Sequence, residues 1–270
     1  LVIAGYAKLG KLIKYIPYPV ITGFTTGIAV IIASSQVKDF LGLTVSNVPA
    51  DFINKWGTYF ANLNQTSVYA VLLGLLGLAC IIICKKISPK IPSYLVSILL
   101  VSVLAFAFSL PVDTIGSRFP NLPTGLPTPV WPVFSLDDIR ELVPSAFTIA
   151  FLAGIEALLS AVVADGLIGH KHSLNQELVG QGVANIASGL FGGIPATGAI
   201  ARTATNIKAG GRTPVAGILH AIFLLVFLYT AMDVLAFIPM TALAAVLFMV
   251  SWGMSDLKHF TQIAKISPSD

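Results

Sequence analysis

The sequence predicts an all-α, polytopic membrane protein, and three observations carry that expectation. Of 270 residues, 56% are hydrophobic and 10% are charged, where a soluble domain is roughly a quarter charged. Mean hydropathy is +0.87. Apolar stretches of bilayer-crossing length recur along the chain, interrupted by one glycine- and proline-broken segment, Gly189–Gly211.

Apolar spans are expected at Pro19–Val37, Ser67–Cys84, Pro92–Leu110, Pro144–Leu167, Pro214–Met232 and Pro239–Met254. Each is close to the ~20 residues a helix needs to cross a bilayer. Leu1–Ala7 reads as the tail of an earlier span. The chain opens inside an apolar stretch, with no methionine and no signal peptide, and so reads as a fragment of a longer protein. Leu174–Leu190 is a weaker candidate, interrupted by Glu177, Gln181 and Asn185. Ala199–Ile207 is too short to cross alone and reads as a half-helix.

Loop charge tests this topology. With Lys8, Lys11 and Lys14 inside and sides alternating, Lys85, Lys86, Lys90, Lys171, Lys208, Arg212, Lys258 and Lys265 also fall inside. Lys38, Lys55, Arg118 and Arg140 fall outside, as the positive-inside rule requires. The pattern needs the glycine-rich segment and the half-helix to complete one crossing. It also explains the net charge of +4 without a nucleic-acid partner, because the basic residues form no long run. Cys80 and Cys84 sit one turn apart on one helix face and read as packing residues, since two positions on one regular helix suit a disulfide poorly.

Two outer loops, Asp39–Thr66 and Pro111–Val143, read as connections. The second is proline-rich, carries Asp113, Asp137, Asp138 and Glu141, and is expected to hold a surface helix near Leu136–Leu142. A faint inverted repeat pairs Tyr15-Ile16-Pro17 and Lys38-Asp39-Phe40 with Phe237-Ile238-Pro239 and Lys258-His259-Phe260. The two spans so marked run in opposite directions, a transporter trait.

The broken segment carries the functional expectation. It holds six glycines, Pro195 and a lone mid-segment cation, Arg202. Such a break at membrane depth must be buried in protein or line a wet cavity, because lipid offers its backbone no partner. Arg202 falls in the first turn of the half-helix after Gly198. Free N–H groups, the positive end of the helix dipole and a guanidinium would converge there on an anion. The competing reading is an arginine that pairs with Glu156 or snorkels to a surface. Glu156 is the sole acid deep in a strong span, and a carboxyl at that depth can take up and release a proton near neutral pH. Ser160, one turn on, shares its face. The two could instead offer oxygen ligands to Na⁺, or Glu156 could serve as a salt-bridge partner.

Other polar residues read more plainly. Asp165 with His170, Lys171 and His172 reads as a solvated helix end, and the spacing matches no zinc pattern, so no metal is expected. Glu177, Gln181 and Asn185 form a polar stripe read as helix–helix hydrogen bonding, with gating of the site as the lesser reading. Gly23-Phe-Thr-Thr-Gly27 reads as a close-packing element. No nucleophile–base arrangement, Walker or dinucleotide pattern is present, so neither an enzyme nor a cofactor is expected.

These residues resemble the SulP family of anion transporters, relatives of the mammalian solute-carrier anion exchangers. The matching runs are Gly10-Lys-Leu-Ile-Lys-Tyr-Ile-Pro17, Gly154-Ile-Glu-Ala-Leu-Leu-Ser-Ala-Val-Val-Ala-Asp165, Glu177-Leu-Val-Gly-Gln-Gly182 and Gly192–Gly211. Gly169-His-Lys-His-Ser173 and Ala199-Ile-Ala-Arg-Thr203 are similar to the bacterial aerobic C4-dicarboxylate branch. The resemblance implies a fold of two inverted seven-segment halves, with a short strand plus half-helix at the substrate site, usually followed by a STAS domain. It implies that 1–270 covers about segment 4 to segment 12 of the transport domain, without segments 1–3, 13–14 and STAS.

By the same resemblance, an anion would bind at Gly198, Ala199, Ile200, Ala201 and Arg202, opposite a half-helix outside this chain. Glu156 and Ser160 fall at coupling positions. Arg202 matches the exchangers, and Ala201 stands where many of them have serine. The Glu156–Arg202 combination implies coupling to H⁺ rather than Na⁺. The expected activity is proton-linked uptake of a dicarboxylate such as succinate or fumarate, or of sulfate, by alternating access. Sodium–bicarbonate transport and an anion channel or sensor are the alternatives. The expected setting is a multi-pass protein of the bacterial inner membrane, in contact with lipid and homodimeric in its full length.

Overall fold

The computed structural model describes residues 1–11, 18–88, 91–121, 125–133 and 135–255, with the backbone alone at Tyr18, Val20, Ile21, Phe24, Ala201 and Lys208. In chain order its helices are α1 (Val2–Tyr6), α2 (Tyr18–Leu41), α3 (Phe52–Ala61), α4 (Val68–Ile87), α5 (Ser93–Ala107), α6 (Ile115–Arg118), α7 (Leu136–Ile168), α8 (Leu174–Leu190), α9 (Ile200–Lys208), α10 (Val215–Thr230), α11 (Met232–Leu235) and α12 (Met240–Met254). All six expected spans are helical, and Leu174–Leu190 and the half-helix fall where hydropathy puts them. Lys14, Lys90, Lys258, Lys265, Tyr15-Ile16-Pro17 and Lys258-His259-Phe260 lie outside the described residues, as does most of the Gly10–Pro17 run.

α4 and α7 are each long and apolar enough to cross a bilayer, yet only 28% of each apolar window is buried. A soluble core helix of that composition would be enclosed on all sides; these keep apolar surface for lipid. α10 is likewise apolar, and none of its described side chains is buried.

The chain forms two compact units. Of the described residues, one takes those within 18–121 and 230–255, and the other those within 1–11 and 125–229. In the first, α12 packs on α2, α4 and α5. Ala242, Ala244 and Ala245 of α12 are fully buried, and Leu73, Val101 and Ala105 close the core against Ala242. Small residues let helix backbones approach where lipid gives no hydrophobic drive. Side-chain bonds then tie the helices: Ser97 Oγ donates to the Gly77 carbonyl at 2.9 Å and Thr241 Oγ1 to the Ala70 carbonyl at 2.8 Å. At one end Arg118 bridges Asp39 and Asp113, at 3.0 Å each.

Three sequence expectations change here. The Asp39–Thr66 connection contains α3, started by Asp51, whose carboxylate accepts the Asn54 N–H. The separate surface helix at Leu136–Leu142 is instead the first two turns of α7, which runs 33 residues through Pro144. A reciprocal cap between Ser135 and Asp138 starts the helix early. The hydrogen bond that proline cannot donate is lost on an exposed stretch, so the helix continues. The Gly23–Gly27 element makes no close contact among the described residues: a Cβ at either glycine would meet open space. A tight helical glycine of that unit is Gly74, whose added Cβ would lie 2.6 Å from the Phe40 ring and 2.9 Å from Thr241 Oγ1.

Gly74→Val is expected to lower the thermal midpoint of the purified protein, by an overpacking cost of about 1–3 kcal/mol. Gly27→Val, which fills open space, is the control and leaves the midpoint nearly unchanged.

Candidate anion site

The second unit is built on α7, α8 and α9 with α1 laid along α8. The α7–α8 corner is clasped by Asp165. Its carboxylate accepts the His172 backbone N–H at 3.1 and 3.2 Å and lies 2.7 Å from His172 Nδ1. Both side chains are half-buried, so the expected solvated helix end is an ordered corner. Gly169 makes the turn possible with φ +82°.

α8 ends at Leu190, and Gly192 reverses the chain with φ +68°. Residues 193–199 form no regular secondary structure and lead into α9, with Ala199 extended (φ −110°, ψ 113°). The short strand implied by the resemblance is not formed: the segment has no strand partner among the described residues, and side chains take that place. The Asn185 amide accepts the Ala196 N–H at 2.8 Å and donates to the Ala196 carbonyl at 2.8 Å. Gln181 Nε2 donates to the same carbonyl. Ser188 Oγ donates to the Ile194 carbonyl at 3.1 Å. From the other side Thr197 Oγ1 donates to the Ala153 carbonyl of α7 at 2.8 Å. The stripe of Gln181 and Asn185 therefore bonds to this segment rather than to another helix.

α7 meets this segment with small residues. A Cβ on Gly198 would stand 3.3 Å from Ser160 Cβ and 3.4 Å from Ala157 Cα. Ala157 and Ser160 are buried. Ser160 Oγ lies 2.7 Å from Thr203 Oγ1, which fastens α9 to α7. Glu156 shares the α7 face of Ala153 and Ser160 by its three- and four-residue spacing and is half-buried.

α9 starts at Ile200 with Ala199 as its N-cap and no side-chain cap. Its first intrahelical bond is Thr203 N–H to the Ala199 carbonyl at 2.9 Å. The N–H groups of Ile200, Ala201 and Arg202 thus have no acceptor within the helix. Gly198, Ala199 and Ile200 are partly buried, whereas Arg202 is exposed. The Ala201 side chain lies outside what is described. Glu156 and Arg202 form no ion pair, so the structural pairing that competes with an anion site is not made. Among the described residues these three N–H groups have no acceptor, and they share one turn with the Arg202 guanidinium, with the Glu156 carboxyl on the neighbouring helix. Sequence reasoning missed Asn185 as a backbone partner, and Thr197 and Thr203 as ties to α7.

The model of the sulfate permease family matches residues 1–270. The chain belongs to the sulfate permease family. It is 42% identical, over its whole length, to YvdB of Bacillus subtilis, named as a candidate sulfate transporter, and covers 51% of that protein. It is 35% identical over 99% of its length to the bicarbonate transporter BicA of Picosynechococcus, covering 47% of it. The chain spans about half the length of these curated relatives. Among solved structures, the transmembrane domain of a cyanobacterial BicA superposes with a TM-score of 0.84 at 34% identity, over 94% of this chain and 64% of that one. Murine Slc26a9 superposes with a TM-score of 0.81 at 18% identity, over 97% of this chain and 44% of that one, which shows a shared fold.

Asn185→Leu strips Ala196 of its N–H acceptor and one carbonyl donor. Both bonds are exposed, where a hydrogen bond contributes about 0.5–1.5 kcal/mol net, so amide exchange at Ala196 should accelerate about 2- to 10-fold. Residue-resolved hydrogen exchange of the full-length protein checks this; unchanged protection would show that the side chain holds nothing.

Proposed function

We propose that the chain is part of a secondary transporter that moves a small oxyanion by alternating access, with the anion at the start of α9 and a proton carried by Glu156. The observation that carries the reading is the uncapped N-terminus of α9. Helix N–H groups without a side-chain cap and a guanidinium in the first turn suit an anion, and Gly198 keeps the approach free of a side chain. Glu156 lies on the α7 face that Gly198 packs against, free of Arg202, where it can exchange a proton. The setting is a bacterial inner membrane, the full-length protein being a homodimer.

Sulfate is the first substrate, since two relatives with long alignments are named for sulfate and bicarbonate and an added guanidinium favours a dianion. Bicarbonate comes second, and succinate or fumarate third. Sodium coupling is the second reading for the ion. The Ser160–Thr203 hydroxyl pair beside Gly198 favours it, because both oxygens could turn to a cation held by Glu156.

Uptake by the full-length protein in liposomes separates these readings. Accumulation against a gradient, driven by an inward proton gradient and abolished by Glu156→Gln, is the expected result and excludes a channel. Accumulation driven by sodium alone supports the second reading. Arg202→Ala should raise the sulfate KM about 10- to 100-fold, the equivalent of losing a charged hydrogen bond of about 1.5–3 kcal/mol. An unchanged KM would remove the arginine from the site.

A further inference from the structure

α3 is a ten-residue helix, Phe52–Ala61, between the spans α2 and α4. Its length, about 15 Å, is half of what a bilayer crossing needs. The sequence sorts its residues around the axis. Phe52, Trp56, Tyr59, Phe60 and Ile53 fall on one arc, and Asn54 and Thr58 on the other. Only the edge of the apolar arc is used within the unit. Tyr59 is buried, and Trp56 Nε1 donates to Ser34 Oγ of α2 at 3.2 Å. The Trp56 ring stands between Phe52 and Phe60, 6.4 and 5.7 Å away between centroids. The rest of the arc is open: Ile53 is 78% exposed and Phe60 65%.

The depth of attachment says what covers that surface. Ser34 lies about two turns, or roughly 10 Å, before the end of α2. α2 itself has 24 residues, about 36 Å, and overshoots a hydrocarbon core of roughly 30 Å. α3 is therefore held against the side of a span, below its end, at the level where headgroups meet acyl chains. Interfacial helices bury their apolar face about 5–10 Å into that boundary, and tryptophan and tyrosine gather there. The spans beside α3 show open apolar surface at the same end, with Val30 and Ile31 one turn before Ser34 and Val68 and Leu72 in the first turns of α4.

We propose that α3 is an interfacial helix that seats this unit in the outer leaflet, with Phe52, Ile53 and Phe60 among phospholipids and Asn54 and Thr58 towards water. Trp56 couples the seat to α2 through Ser34. The partner is a phospholipid surface, not a second protein.

Spin labels on single cysteines test it in the full-length protein, cysteine-free elsewhere, in phosphatidylcholine vesicles. Labels at Ile53, Phe60, Asn54 and Thr58 are compared with one at Leu72 on the α4 span. Labels at Ile53 and Phe60 are expected to relax several-fold faster with oxygen, which partitions into lipid, than with a water-soluble nickel chelate. Asn54 and Thr58 should show the reverse. Equal or greater nickel access at Ile53 and Phe60 overturns the proposal. So does shielding there from both reagents, which would mean that protein covers the arc.

Discussion

Every backbone N–H and C=O at membrane depth must find a partner inside the protein, and the break between α8 and α9 is where this chain meets that demand without a helix. An orphaned group costs about 1–3 kcal/mol, so an extended stretch crossing lipid depth unaided would not persist. Asn185 supplies both a donor and an acceptor to Ala196, as a neighbouring strand would. Ser188 and Thr197 satisfy further polar groups by their hydroxyls. The N–H groups left over are gathered at the start of α9. Side chains satisfy the stem of the segment, while the first N–H groups of α9 have no acceptor among the described residues.

α7 serves both sides of this arrangement. One face, Ala153, Ala157 and Ser160, is small enough for the segment and Gly198 to lie against it. The adjoining face receives α8 and α1: an added Cβ on Gly154 would meet Leu178 at 3.3 Å and Leu1 at 3.0 Å. Glu156 sits on the first face. Arg202 is exposed and forms no ion pair with it.

The spans, the helix Leu174–Leu190 and the half-helix were legible because hydropathy and helix breakers act locally. Where the break must satisfy its backbone was legible too; how it does so was not. Asn185 and Ala196 are far enough apart in sequence that only the folded reversal at Gly192 joins them. Ser160 with Thr203 depends on the same reversal, and Asp165 with His172 on the turn at Gly169. α3 had local signals, Asp51 as a cap and aromatic residues at helical spacing, but a short amphipathic helix in a loop is outweighed by the long apolar spans around it. Pro144 misled because its helix-breaking cost is set by its surroundings. Gly23 and Gly27 misled because spacing alone does not say which face of α2 meets a neighbour.

Anion binding at the start of α9 requires the N–H groups of Ile200, Ala201 and Arg202 to be open to the ligand while Ala196 is already held. Residue-resolved hydrogen exchange of the full-length protein in vesicles, with and without sulfate or bicarbonate, measures this directly. The account predicts that Ala196 is protected in both states and that the three α9 amides slow markedly only when the anion is present. Exchange at Ile200, Ala201 and Arg202 that ignores every transported anion would contradict it.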